Sequence, residues 1–252
     1  MKPRIAIPVP TSTDLDYNRR SWPSYAEAVS RSGGEPILIE LALPPAEVAA
    51  LAATCAGICL PGSPADIDPL RYSADPDPAT SPADPAREAI DNLLLEDAYK
   101  HLKPVLGICY GVQSLNVYRG GSLVQDITPL PVNHSAGRSV AIAHSALVAK
   151  NSLLASLLEP VEAPAEDEFL RLPINTSHHQ SVASPGDGLR IVARCPDDGV
   201  VEAVEADPTE PGTPHFVLGV QWHPERSYDI SAASRALFDR LIQEAAARST
   251  LQ

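Results

Sequence analysis

With 252 residues, 44% of them hydrophobic and 20% charged, the chain can bury a sizeable core without cross-links. Its formal charge of −13 argues against nucleic acid and anionic membranes as partners, because both require a basic face that releases counterions. Cys55, Cys59, Cys109 and Cys195 contain no C-x-x-C pair, and no apolar run reaches signal-peptide or membrane-spanning length; a cytoplasmic location, where a free thiol persists, is expected.

Residues 4–9 (RIAIPV) read as a first strand and 22–33 as a helix stopped by Gly33 and Gly34. A strand over 36–41, a short helix over 45–55 and a strand over 56–62 follow, then a helix over 86–101 and the apolar strand 103–109. This alternation predicts βαβ units, with a parallel sheet covered by helices on both faces. In the second half, 139–143, 189–194, 200–206 and 215–222 are strand-like, and a helix over 230–248 follows. The proline-rich stretch 61–85 interrupts the alternation as a long loop. It leaves the C-terminal edge of a predicted parallel strand, where open α/β sheets bind ligands, so it reads as a lid or site wall.

The segment PVLGICYGVQSLN (104–116) places Cys109 between Gly107 and Gly111 on a strand-to-helix turn. G-x-C-x-G is the thiol counterpart of a nucleophile elbow. Side chains at the two glycines would collide with nearby backbone, the helix N-terminus favours a thiolate, and the Tyr110 N–H is free to face an oxyanion. A small buried cysteine is the bland alternative. A thiol nucleophile needs a base and the base an orienter. His223 and Glu225, in HFVLGVQWHPERSYD (215–229), supply both types, two residues apart on a segment taken as extended, so that they face the same way. Alone, H-P-E reads equally as a turn with a surface carboxylate. Gly62, in CLPGSP (59–64), could offer a second oxyanion N–H. In INTSHHQSV (174–182), His178 and His179 read as a polar turn. Adjacent histidines on a strand face opposite ways and no acidic or cysteine partner sits at ligand spacing, so no metal site is assigned.

Together these segments resemble the class I glutamine amidotransferase superfamily, and within it the γ-glutamyl hydrolase branch that includes γ-glutamyl-γ-aminobutyrate hydrolases. GICYGVQ matches the nucleophile block, GVQWHPE the base block, LPGSPADIDPLRY the oxyanion loop and NTSHHQSV the segment around the substrate's glutamyl end. YRGGSLVQDI (118–127) and RSGGEPILI (31–39) extend the resemblance over nearly the whole chain. It implies one domain over 1–252 with a flavodoxin-like three-layer sandwich, its central sheet mostly parallel, with helices on both faces. It implies Cys109, His223 and Glu225 as the catalytic triad, Gly62 and Tyr110 as oxyanion donors, and Gln113, Ser177, His178 and His179 as substrate contacts. It also implies hydrolysis of γ-glutamyl amides through a thioester without metal or cofactor, in a possible homodimer. A glutaminase subunit serving a separate synthase and a non-catalytic binding module are the alternatives. Tyr110 stands where a further group of cysteine enzymes carries histidine, which argues against that group. Arg71 and Tyr72 are the loop candidates for selecting the leaving amine.

Overall fold

The first half of the chain folds as the alternation predicts, with β1 (Arg4–Pro8), α1 (Leu15–Arg31), β2 (Glu35–Ile39), α2 (Pro45–Ala53), β3 (Gly57–Leu60), α3 (Pro85–His101), β4 (Val105–Ile108) and α4 (Tyr110–Tyr118). The computed structural model describes residues 2–127, 130–211, 214 and 216–249. The second half holds β5 (Ser122–Val124), β6 (His144–Ala149), β7 (Ala165–Glu166), β8 (Phe169–Ile174), β9 (Ser181–Ser184), β10 (Leu189–Arg194), β11 (Val201–Ala206), β12 (Val217–Val220) and α5 (Ala232–Ser249). The predicted strand over 215–222 starts at His215, outside the described residues.

A ten-stranded sheet runs in the order β2-β1-β3-β4-β12-β11-β10-β6-β8-β7, and β5 pairs with β9 in a separate ribbon. From β2 to β12 every pairing is parallel. Strands β3, β4 and β12 are buried along their whole length, as uninterrupted apolar runs require when both faces are covered. One face packs on α1 and α5 through Tyr25, Val29, Leu237, Phe238 and Leu241. The other packs on α2, α3 and α4 through Val48, Ile90, Leu94 and Leu115.

Beyond β12 every pairing is antiparallel, so the expected mostly parallel, flavodoxin-like sheet is incorrect: the sheet is mixed. The connections explain the change. A parallel pair needs a crossover of about a dozen residues or more, whereas only residues 195–200 join β10 to β11 and residues 167–168 join β7 to β8. The helices still flank both faces of the parallel half.

Local boundaries also differ from the expected ones. Helix α1 begins at Leu15, with the Asp14 carboxylate accepting from the Tyr17 N–H as its N-cap, and Pro23 lies inside it. The strand expected over 139–143 forms instead at His144–Ala149. The loop 61–85 is ordered by a 3₁₀ turn at Pro69–Tyr72 and a bridge between Asp66 and Ala83. Among the described residues no helix is long and apolar enough to cross a membrane.

Candidate active site

Strand β4 ends at Cys109, whose φ of 53° and ψ of −109° make the sharp turn into α4. A non-glycine residue at positive φ is strained, and such strain persists only where the surroundings enforce it. They do so here: the Cys109 N–H donates to the Val220 carbonyl at 2.8 Å, holding the turn against β12. A Cβ on Gly111 would lie 2.1 Å from the Leu60 carbonyl oxygen, and one on Gly107 would lie 2.8 Å from the Gly111 carbonyl. Both glycines are therefore required by close backbone approach. Tyr110 is the first residue of α4, so its N–H has no acceptor in a preceding helical turn.

The adjacent strand β12 delivers His223. Its Nδ1 lies 2.9 Å from Glu225 Oε1, and the ring shares a cavity wall with Cys109. The pair forms on a 3₁₀ turn, Pro224–Arg226, and not on the extended segment read from the sequence. Burial disfavours the His223 imidazolium, but the Glu225 carboxylate and Cys109 outweigh it and hold the ring's pKa above the ordinary histidine value. Burial likewise opposes ionisation of Glu225, yet His223 and Arg226 keep its carboxyl below its ordinary value. Asn175 was not singled out from the sequence, although it lies in the quoted segment 174–182. Its side-chain amide donates to the His223 carbonyl at 2.9 Å and its oxygen accepts from the His223 N–H at 2.9 Å. This clamp fixes the imidazole from its own backbone.

Cys109 and His223 open onto a cavity of about 310 Å³, lined also by Tyr17, Arg20, Ser63, Arg138, Ser177 and Arg226. Three arginines thus line the cavity that the thiol opens onto, in a chain of net charge −13. Arg138 is tied to α1 by bonds to the Ser21 hydroxyl at 3.2 Å and the Arg20 carbonyl at 3.3 Å. The three arginines were not distinguishable from others in the sequence, because they come from α1, the loop 130–143 and the turn after β12.

The remaining sequence candidates are placed unevenly. Gly62 sits at the site, where a Cβ would lie 3.0 Å from His223 Cε1 and 3.5 Å from Cys109 Cβ. Its N–H, however, donates to the Tyr25 hydroxyl at 3.1 Å. Ser177 lines the cavity. Gln113 is buried, its amide donating to the Gln180 carbonyl at 3.1 Å and to Gln221 Oε1 at 3.3 Å. His178 is buried beside His134 and Glu202 and does not line the cavity, and burial drives its pKa well down. His179 lies 3.1 Å from Asp66 and 3.3 Å from Asp126, fastening the loop 61–85. Arg71 bonds Asn92 on α3 at 2.7 Å, and neither it nor Tyr72 lines the cavity; from that loop Ser63 and Pro64 do.

A second buried grouping of cysteine, histidine and carboxylate exists. His134 lies near Cys195 and Asp198, and its Nδ1 is 3.3 Å from Glu202 Oε1. The two groupings differ in thiol chemistry. Cys195 sits on no elbow, and burial together with Asp198 pushes its thiol up to about 11. Burial also raises the thiols of Cys55 and Cys59.

Comparison with known proteins agrees with this architecture. The chain is 35% identical over 223 residues to a candidate glutamine amidotransferase of Mycobacterium tuberculosis, covering 85% of this chain and 65% of that one, so it spans somewhat less than two thirds of that relative's length. It is 33% identical over 227 residues to the γ-glutamyl-γ-aminobutyrate hydrolase PuuD of Escherichia coli K12, covering 86% and 83% of the two chains. A solved structure from Thermoplasma acidophilum, described as one component of a candidate GMP synthase, superposes with a TM-score of 0.67 over 100% of this chain and 98% of that one. At 15% identity that likeness speaks for the fold alone. Residues 10–225, from the loop after β1 to the carboxylate beside His223, match the Peptidase C26 model, and the chain belongs to that family of class I glutamine amidotransferase-like proteins, related to the γ-glutamyl-γ-aminobutyrate hydrolases.

Proposed function

We propose that the chain is a cysteine hydrolase that cleaves γ-glutamyl amide bonds, with Cys109 as nucleophile, His223 as proton carrier and Glu225 as orienter. The observation that carries this reading is the strained Cys109 elbow, which shares with the His223–Glu225 pair a cavity lined by arginines. The thiolate attacks the γ-carbonyl, and the developing oxyanion meets the Tyr110 N–H at the start of α4. The Gly62 N–H contributes when it exchanges its Tyr25 partner for the oxyanion. Protonated His223 passes its proton to the leaving amine, which departs as the thioester forms. Neutral His223 then takes a proton from water, which hydrolyses the thioester and frees glutamate.

The arginines favour this reading over a glutaminase that feeds a separate synthase. Each γ-glutamyl group carries one α-carboxylate, and three guanidinium groups suit a substrate whose amine half is also anionic better than glutamine, whose leaving group is ammonia. The test is a panel of γ-glutamyl amides and glutamine, assayed with wild type and Cys109→Ala. At least one γ-glutamyl amide is expected to turn over faster than glutamine, and Cys109→Ala to abolish it. Undiminished turnover in that variant would remove the mechanism.

A further inference from the structure

Next to Ser177 in the fold, four buried side chains meet around one carboxylate. His134 comes from the loop 130–143, His144 opens β6, His178 lies between β8 and β9, and Glu202 is on β11. Their side chains are at most 5% exposed. Each histidine commits one ring nitrogen to an oxygen acceptor: His134 Nε2 to Asp198 at 2.9 Å, His144 Nδ1 to the Ser145 carbonyl at 3.2 Å, and His178 Nδ1 to the Gln180 carbonyl at 3.0 Å. Carbonyl and carboxylate oxygens accept, so these nitrogens carry the protons. With one proton per ring, the opposite nitrogens present lone pairs, and they face the Glu202 carboxylate. His134 Nδ1 is 3.3 Å from Oε1, His144 Nε2 is 3.5 Å from Oε1, and His178 Nε2 is 3.9 Å from Oε2. All three nitrogens and both carboxylate oxygens lack a hydrogen-bond partner among the described residues. Orphaned acceptors converging in a dry interior are costly, and something positive must lie between them.

We propose that His134, His144, His178 and Glu202 bind a zinc-type divalent cation. Ligand atoms at zinc bond lengths on a tetrahedron stand about 3.3 Å apart, close to the separations of His134 and His144 from Glu202. The outer hydrogen bonds follow the pattern of metal-bound histidines, in which the second ring nitrogen donates to a carboxylate or carbonyl that fixes the tautomer. His134, His144 and Glu202 offer ligand atoms within 4.8 Å of one another, and His178, 3.9 Å from Oε2, completes the set when its ring closes in, which makes the site structural with no position for a reacting water. Its place in the fold says what it holds. The His134 carbonyl accepts from the Thr176 hydroxyl at 2.8 Å and the His178 N–H at 2.9 Å, so the ion clamps the two segments that carry Arg138 and Ser177 into the cavity wall. The four ligands come from four separate segments, which is why no ligand spacing is visible in the sequence.

The test is metal analysis of protein expressed with zinc supplied, followed by chelation and titration with zinc or cobalt. The expected result is about one ion per chain, a rise in Tm on adding zinc back to chelated protein, and a cobalt spectrum with the intense visible bands of a tetrahedral site. Asp198→Asn, which changes the partner that orients His134 without touching a ligand atom, should weaken zinc binding about 10–100-fold. Glu202→Gln should lose the ion, and because that buried change risks poor folding, the titration of chelated wild type stands as the independent measurement. Cys109→Ala should retain the ion, which separates this site from zinc captured by the reactive thiol. Metal-free wild type with no Tm response to zinc or cobalt would overturn the proposal and leave a cluster held together by shared protons. Loss of the ion in Cys109→Ala would overturn it equally.

Discussion

In the proposed hydrolysis, His223 sets the site's proton traffic. Acylation needs its imidazolium to protonate the leaving amine, and that form is lost as pH rises through the residue's pKa. Burial lowers this pKa, while Glu225 and Cys109 raise it further, so the alkaline limb of kcat/KM should lie above the ordinary histidine range. Glu225→Gln removes the larger of the two raising charges. The limb should then move to lower pH, with a smaller loss of rate at its optimum than His223→Ala produces. A pH–rate profile of the three proteins decides it, and an unmoved limb would remove Glu225 from this role.

At the scale of elements, the start of α3 gathers the loops that shape the site. The Asp84 carboxylate caps α3 through the Arg87 N–H at 3.2 Å and also accepts from the Thr11 hydroxyl at 2.8 Å and the Ser12 N–H at 2.6 Å. Arg87, fully buried, donates to the Pro10 and Pro61 carbonyls at 2.8 and 2.7 Å and pairs with Asp91 at 2.7 Å. Burial opposes the Asp84 charge, but these bonds from Ser12, Thr11 and Arg87 keep its pKa below the ordinary aspartate value. A depressed folded pKa means that the stabilisation is present above the ordinary aspartate range and fades as pH falls through the folded value. Asp84→Ala should cost about 1–3 kcal/mol in urea unfolding at neutral pH, and the difference from wild type should shrink in acid. Much of this half of the fold was legible, because β1, β3 and β4 are apolar runs and α3 follows a clear Asp-Pro start. The start of α1 was not legible, since Pro23 breaks its pattern mid-helix. Strand β8 was missed because Pro173 lies within it and its apolar residues alternate with polar ones only loosely. Cys109 and His223 stood out as candidates because each follows an apolar strand, and Glu225 because it lies two residues beyond His223. Asn175 and the arginines were not, because their partners are remote in sequence.

For the whole molecule, charge is distributed against its average. A net −13 repels anionic substrates at long range, and the three arginines at the cavity reverse that field locally. Arg138→Ala should raise KM for an anionic γ-glutamyl substrate about tenfold with little change in kcat, and wild-type KM should climb with added salt. A KM indifferent to both would mean that the arginines do not touch substrate. The pairing of β4 with β12 has a broader consequence. Ile108 stands opposite Val220, one residue before Cys109 and three before His223, and β12 is also the strand at which the sheet turns antiparallel. The placement of thiol and imidazole therefore starts from the interstrand spacing, about 4.8 Å, and is completed by the turn after β12 and the Asn175 clamp. The connection 207–216 enters β12 at its opposite end. Lengthening it by about four Gly-Ser residues should cost under ~1 kcal/mol and leave turnover intact. The reactive pair behaves as a fixed gauge, and of the outer strands only those remote from Asn175 and Ser177 can be rebuilt without disturbing it.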